Sequence, residues 1–240
     1  RDRVNGAKLL IGDFHADGRE DVAIFGRGPT DNASRMVVLR RTRASNPTRL
    51  NDPVLWWEAN QTFDKVASVW LADLSGDDRV DLVVRQNGDG SGVRLKTAVT
   101  KSPLPGGMPR MGTYKMRWED QSLIPSKVKM AVGDANRDGR DDMMLLVGGG
   151  GRAVVERLQG GKLGGFKRVK IWTAPKNDPI PVEKTRLAAS DFDYDGREDW
   201  VLFTKRGTGT RIRILEARYD KVIAGPDWKV YIPWSEVRPL

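Results

Sequence analysis

Cysteine occurs nowhere in the 240 residues. Its absence removes a disulfide framework, a thiolate zinc site and a cysteine nucleophile together. It does not point to the cytosol, because secreted bacterial domains often do without disulfides. Histidine is nearly missing as well: His15 stands alone, and no Ser, His and acid set suggests an activated nucleophile. Long apolar runs are absent. The strongest, Met143 to Val147, is far too short to span a bilayer. The sequence opens at Arg1 with no apolar leader, so any signal peptide is expected to have been removed or to lie outside it. Gly148 to Gly151 lacks the Lys and Ser/Thr that would make a phosphate loop, and reads as a hairpin turn.

What is present suffices for a core: 39% of residues are hydrophobic and 30% charged, with 26 glycines and 13 prolines as punctuation. The organisation is a repeat. Four segments match one another: Leu10 to Phe25, Leu71 to Val84, Val132 to Leu146 and Ala189 to Phe203. Their first aspartates, Asp13, Asp73, Asp134 and Asp191, are spaced by 60, 61 and 57 residues. Trp57, Trp118, Trp172 and Trp234 keep step, spaced by 61, 54 and 62. Within a unit, apolar runs of four to six residues alternate with Gly, Asn and Asp turns, as in Lys8 to Ile11, Val22 to Phe25, Met36 to Leu39 and Pro53 to Trp57. The pattern predicts an all-β domain of four antiparallel strands per unit, a β-propeller with blades near 1–60, 61–121, 122–178 and 179–240. Whether four blades close a ring alone or form part of a larger propeller stays open.

Each acidic segment follows D-x-[D/N/S/H]-x-D-[G/D]-R-x-D. Oxygen donors at alternate positions, a tight turn at position six, a carbonyl at seven and a carboxylate at nine suit a hard, oxygen-seeking Ca²⁺ ion. An EF-hand would carry a bidentate Glu at position twelve, where this chain has Ile24, Val84, Leu145 and Leu202. No helical period follows either, so the loop must join two strands.

Four in-phase copies of this motif resemble the FG-GAP and VCBS-type repeats, over nearly the whole chain. Integrin α-subunits of that family form propellers with calcium in the hairpin between the first two strands of a blade. The resemblance implies an extracellular or cell-surface, secreted module for adhesion or ligand binding, or an accessory or spacer of a larger protein. It implies a calcium cofactor, up to four ions. Position by position, the ligands it implies are Asp13, His15, Asp17 and Asp21 in loop one, and Asp73, Ser75, Asp77 and Asp81 in loop two. Loop three supplies Asp134, Asn136, Asp138 and Asp142, and loop four Asp191, Asp193, Asp195 and Asp199. The carbonyls of Arg19, Arg79, Arg140 and Arg197 complete the sets. The copies differ in quality. His15 is a poor Ca²⁺ partner, and Asp78 stands where Gly would make the turn. Loops three and four are therefore the better sites, with four the tightest and one the weakest.

The formal charge is +9. If calcium neutralises the thirteen ligand carboxylates, nineteen acidic residues face 41 basic ones, an excess that suits an anionic partner as well as mere solubility. A glycan or protein ligand, of anionic character, stands ahead of nucleic acid, and catalysis is not expected. The guanidinium groups of the loop arginines are expected to offset the carboxylates. The in-register tryptophans are expected to fill the space between blades, leaving Trp56, Trp70, Trp200 and Trp228 as candidates for exposure.

Overall fold

A computed structural model of the chain describes residues 6–28, 33–41, 50, 52–60, 66–88, 91–101, 110–149, 151–218 and 221–231. Trp234 lies outside them. Every element among the described residues is a strand except two single 3-10 turns, Pro125–Lys127 and Val182–Lys184. No described helix is long and apolar enough to cross a membrane.

The strands form four four-stranded antiparallel sheets, one to each repeat. The first contains β1 (Lys8–Gly12), β2 (Asp21–Arg27), β3 (Ser34–Leu39) and β4 (Val54–Ala59) in consecutive order. The second contains β5 (Val66–Ala72), β6 (Asp81–Asn87) and β7 (Val93–Ala98). A short hairpin, β8 (Thr100–Lys101) with β9 (Arg110–Met111), precedes its edge strand β10 (Lys115–Asp120). The third contains β11 (Val128–Gly133), β12 (Asp142–Gly149), β13 (Arg152–Gly160) and β14 (Phe166–Thr173). The fourth contains β15 (Thr185–Ser190), β16 (Asp199–Arg206), β17 (Gly209–Arg218) and β18 (Lys221–Val230).

The chain divides into two compact units. The first contains sheets one and two. Its core joins Phe25, Met36 and Trp57 of sheet one to Leu82 and Val84 of sheet two. The second contains sheets three and four, where Met144, Leu146 and Val155 meet Trp200, Leu202 and Leu215. β3 alternates buried and half-buried residues, as a strand with one covered face should. β6 and β12 are buried along nearly their whole length, and each carries an unbroken apolar run, Leu82 to Val84 and Met143 to Val147, where a strand covered on one face would alternate.

The expectation for the tryptophans fails at two positions. Trp56 and Trp200 are buried, and Trp70 is half-buried; only Trp228 of that set is exposed. Trp56 is turned inward by a β-bulge. Met36 pairs with Trp57 and Val37 with Leu55, so Trp56 is the extra residue, and two consecutive indoles face the core. The same irregularity recurs at Ile171 in β14, between the pairs Val155 with Trp172 and Glu156 with Lys170. Trp200 follows the last aspartate of its loop and lands among the residues packed between sheets three and four.

In the second unit a four-member ion-pair cluster ties β18 to β17. Arg211 and Arg213, two residues apart, project from the same face of β17. Arg213 pairs in register with Asp227 and donates to it at 2.8 Å through Nε, while Arg211 reaches Asp178 at 2.8 Å. Arg211 also contacts Asp227, and Arg213 contacts Asp178. Hydrogen bonds from Arg213, then Arg211, hold Asp227 down to about 2, and Arg211 lowers Asp178. A carboxylate with a depressed folded-state pKa stabilises the fold above its unfolded value and loses that contribution as pH falls through the folded one. Acid unfolding should therefore steepen between about pH 4 and pH 2. Asp227→Asn should flatten the melting temperature across that window, modestly, since the carboxylate is a third exposed and screened. An unchanged pH profile would remove the cluster from the account.

Candidate metal centres

Each acidic loop closes the hairpin between the first two strands of its sheet. The terminal ladder pairs are Gly12 with Asp21, Ala72 with Asp81, Gly133 with Asp142 and Ser190 with Asp199. The ninth-position aspartate is thus the first residue of β2, β6, β12 or β16.

All four loops share one backbone path with two left-handed residues, at positions four and six. These are Ala16 (φ 53°) and Gly18 (74°), Gly76 (74°) and Asp78 (63°), Arg137 (59°) and Gly139 (76°), and Tyr194 (58°) and Gly196 (82°). Loop two has exchanged its glycine and its side-chain residue between the two positions, so Asp78 does adopt the turn conformation. The path turns amide hydrogens inward onto the first aspartate. Gly18, Asp78, Gly139 and Gly196 donate to Asp13, Asp73, Asp134 and Asp191 at 2.7, 2.7, 2.8 and 3.0 Å. Backbone donors of this kind hold Asp13 below the usual carboxylate range despite some burial.

The fifth-position aspartates are met by guanidinium groups. Arg79 reaches Asp77 at 3.1 Å, Arg140 reaches Asp138 at 2.9 Å and Arg197 reaches Asp195 at 3.2 Å. In loop one the contact comes instead from Arg40, at 3.2 Å from Asp17. Residues at the end of the third strand add more: Gln159 donates to Asp138 at 3.0 Å, and Arg218 reaches both Asp193 and Asp195 at 2.7 Å. Arg40, Gln159 and Arg218 were not found from the motif, because they lie 19, 17 and 19 residues beyond its end and arrive only through the pairing of the second and third strands.

The ninth-position aspartates are the most buried members, Asp21 at 2% exposure and Asp81, Asp142 and Asp199 at 0%. One oxygen of each accepts an amide hydrogen from the end of the third strand or two residues past it: Arg41 at 2.8 Å, Thr100 at 2.7 Å, Gly160 at 2.8 Å and Ala217 at 2.8 Å. The other oxygen differs in every loop. Asp21 receives His15 Nδ1 at 2.8 Å, and Asp199 receives the Phe192 amide at 3.0 Å. The Oδ2 atoms of Asp81 and Asp142 are buried with no hydrogen-bond partner, although Arg157 Nε lies 3.6 Å from Asp142 Oδ2. Burial pushes both carboxyls up to about 7, and raises Asp199 as well.

The fit to a hard divalent cation is therefore unequal. In loop four, Asp191, Asp193 and Asp195 each bring an oxygen within 4.8 Å of the others, the one group of three or more such ligands among the described residues. Asp199 is not part of that group. Loops two and three present the pre-oriented first aspartate and an unsatisfied buried oxygen at position nine. Loop one fits least, because its third position is the His15 imidazole, held on Asp21 at 2.8 Å, in place of an oxygen donor.

The loops also stack in pairs inside each unit. The Val80 amide donates to the Asp13 carbonyl at 3.1 Å, and the Glu198 amide to the Asp134 carbonyl at 3.3 Å. Each approach runs over a glycine. A Cβ on Gly12 would lie 2.9 Å from Val80 Cγ1, and one on Gly133 only 2.6 Å from Glu198 Cβ. Arg137 of loop three also donates to the Asp195 carbonyl of loop four at 2.9 Å.

No family model matches the chain, and no curated protein matches it. Among solved structures it is similar to an Agrocybe aegerita lectin described as recognising non-reducing terminal N-acetylglucosamine, at 14% identity and a TM-score of 0.47. That match covers 92% of this chain and 66% of the lectin. It is also similar to AofleA from Arthrobotrys oligospora, at 10% identity and a TM-score of 0.46, over 93% of this chain and 59% of that one. A third is the exotype rhamnogalacturonan lyase YesX, at 11% identity and 0.47, over 90% and 48%. The chain thus spans from about half to just under two thirds of the length of these structures.

Gly133→Ala should cost roughly 1–3 kcal/mol in denaturant unfolding, because the new methyl meets a Cβ rather than the movable end of a side chain. Gly165→Ala, with nothing within 4 Å of its added methyl, should stay within about 0.5 kcal/mol of the parent. Equal effects at the two sites would refute the close packing of loops three and four.

Proposed function

We propose that the chain is a calcium-stabilised, extracellular β-propeller binding module of four repeats, non-catalytic, whose ligand is a glycan or a protein. The observation that carries this reading is the common geometry of the four loops, with three carboxylates gathered at Asp191, Asp193 and Asp195. Four copies of one loop with two left-handed residues, one of them gathering three carboxylates, cost more strain than a plain turn needs and suit cation sites. In loop four Asp191, Asp193 and Asp195 would hold the ion. Asp134, Asn136, Asp138 and Asp142 would do so in loop three, and Asp73, Ser75, Asp77 and Asp81 in loop two. Bound calcium supplies fixed positive charge. The protein supplies the oxygens, and its loop arginines must give up part of their hold on the carboxylates as the ion enters.

Calcium should then be found by elemental analysis in protein purified without chelator, with loop one the weakest site. An ion bound only by the folded loop stabilises by RT ln(1 + [L]/Kd), about 2.7 kcal/mol per site at a hundredfold excess over Kd. Excess chelator should lower the melting temperature clearly, and Asp195→Ala should reproduce much of that loss while Asp17→Ala does less. The absence of metal together with an unchanged melting curve in chelator would return the loops to acidic turns.

The binding role is tested separately by a glycan array probed with and without calcium. Saturable, calcium-dependent binding to a defined set of glycans is the expected result. Failure on the array, with calcium still stabilising the fold, would favour a structural accessory or spacer of a larger secreted protein.

A further inference from the structure

The sheet-to-sheet contact inside each unit is one contact made twice. In the first unit Phe25, Met36 and Trp57 of sheet one meet Leu82 and Val84 of sheet two, and in the second Met144, Leu146 and Val155 of sheet three meet Trp200 and Leu202 of sheet four. Counted from the first aspartate of each loop, Leu146 is the counterpart of Phe25, and Trp200 and Leu202 are the counterparts of Leu82 and Val84. The repeat therefore carries two apolar faces that fit one another. Phe25, Met36 and Trp57 mark the forward face, and Leu82 and Val84 mark the rear face.

On sheet one the rear face is uncovered. It is a continuous apolar row across all four strands, because Leu9 pairs with Ile24, Ile24 with Val37 and Val37 with Leu55. Leu9 is 69% exposed, Ile24 38% and Leu55 53%. The same positions are covered in the other repeats. Met130 and Leu187, the counterparts of Leu9, are buried, as are Val84, Leu145 and Leu202, the counterparts of Ile24. On sheet four it is the forward face that lies open along its rim. Trp228 stands opposite Ile212 as Trp57 stands opposite Met36, yet it is 45% exposed against 6% for Trp57. Phe203 and Ile212 are half-buried where Phe25 and Met36 are fully buried. Phe192 is exposed where Phe14, Leu74 and Ala135, at the same loop position, are buried.

We infer that these two faces bind one another between separate copies of the chain, the forward face of sheet four in one copy covering the rear face of sheet one in the next. The inference goes beyond the binding role above and requires neither the calcium nor the glycan assignment. A lone exposed apolar side chain is ordinary, whereas a row spanning four strands is a patch of the kind that marks an interface. The match selects the occupant. The surface that covers Leu82 and Val84 of sheet two is built from Phe25, Met36 and Trp57, and sheet four presents the corresponding Phe203, Ile212 and Trp228 without full cover. Because the two faces differ, the contact is head-to-tail rather than self-paired.

Sedimentation velocity of the intact chain in calcium-containing buffer should show association that grows with concentration. Leu9→Glu and Trp228→Glu, each at an exposed position, place a charge on one face and leave the other intact. Each variant alone should associate about tenfold more weakly or worse, since an unpaired charge is brought into an apolar contact. Their melting curves should match the parent's at concentrations where the parent is monomeric. Mixed in equal amounts, the two variants should associate again, through the sheet-four face of the first and the sheet-one face of the second. A parent that stays monomeric at every concentration would overturn the inference and leave the calcium and glycan tests untouched. Association that survives Trp228→Glu but not Leu9→Glu would overturn it in favour of a self-paired sheet one. A mixture that associates no better than its components would overturn the head-to-tail contact.

Discussion

The arrangement of every repeat depends on one buried carboxylate. Asp21, Asp81, Asp142 and Asp199 each begin the second strand of a sheet, and one oxygen of each accepts an amide hydrogen from the end of the third or two residues past it. That bond fixes where the third strand ends relative to the loop, and so decides which side chains arrive there. Arg40, Gln159 and Arg218 reach the fifth-position aspartates because of it. Burying a carboxylate is costly unless its oxygens are satisfied. The chain meets the second oxygen in four ways: an imidazole, an amide, a distant guanidinium and, at Asp81, no partner. Asp81 and Asp142 are accordingly the two carboxyls driven up to about 7.

The loops exact a second cost. Ala16, Asp78, Arg137 and Tyr194 hold left-handed conformations that disfavour an L-residue by about 1–2 kcal/mol each. What compensates is the set of amide hydrogens turned onto the first aspartate, together with the stacking of loop one on two and of three on four. The stacking needs Gly12 and Gly133, whereas the same position in the second and fourth repeats is Ala72 and Ser190. The glycine thus belongs to the first sheet of each pair rather than to the repeat as such.

Charge is distributed differently from what counting suggests. The 41 basic residues outnumber the 32 acidic ones, and more so once cations neutralise the loop carboxylates. Several arginines lie on those carboxylates themselves: Arg79, Arg140, Arg197, Arg218 and, in loop one, Arg40. Part of the positive charge is therefore committed within the fold, and it is released to face outward only to the extent that a cation takes its place.

The sequence by itself determined the repeat, its four-strand composition and the loops, because strand alternation, turn residues and aspartate spacing are local signals carried by neighbouring residues. It also singled out His15, which interrupts the oxygen pattern of the first loop, and the conformation demanded of Asp78. Only the tertiary structure decided which donors converge. Asp191, Asp193 and Asp195 come together while Asp199 is drawn to Phe192 and Ala217, and nothing in the motif distinguishes these four aspartates. The same holds for Trp56 and Trp200, both sent inward. A bulge displaces one, and the other faces the neighbouring sheet. Strand register and sheet-to-sheet packing are properties of residues far apart in the chain, and a reading that moves along the chain has no access to them.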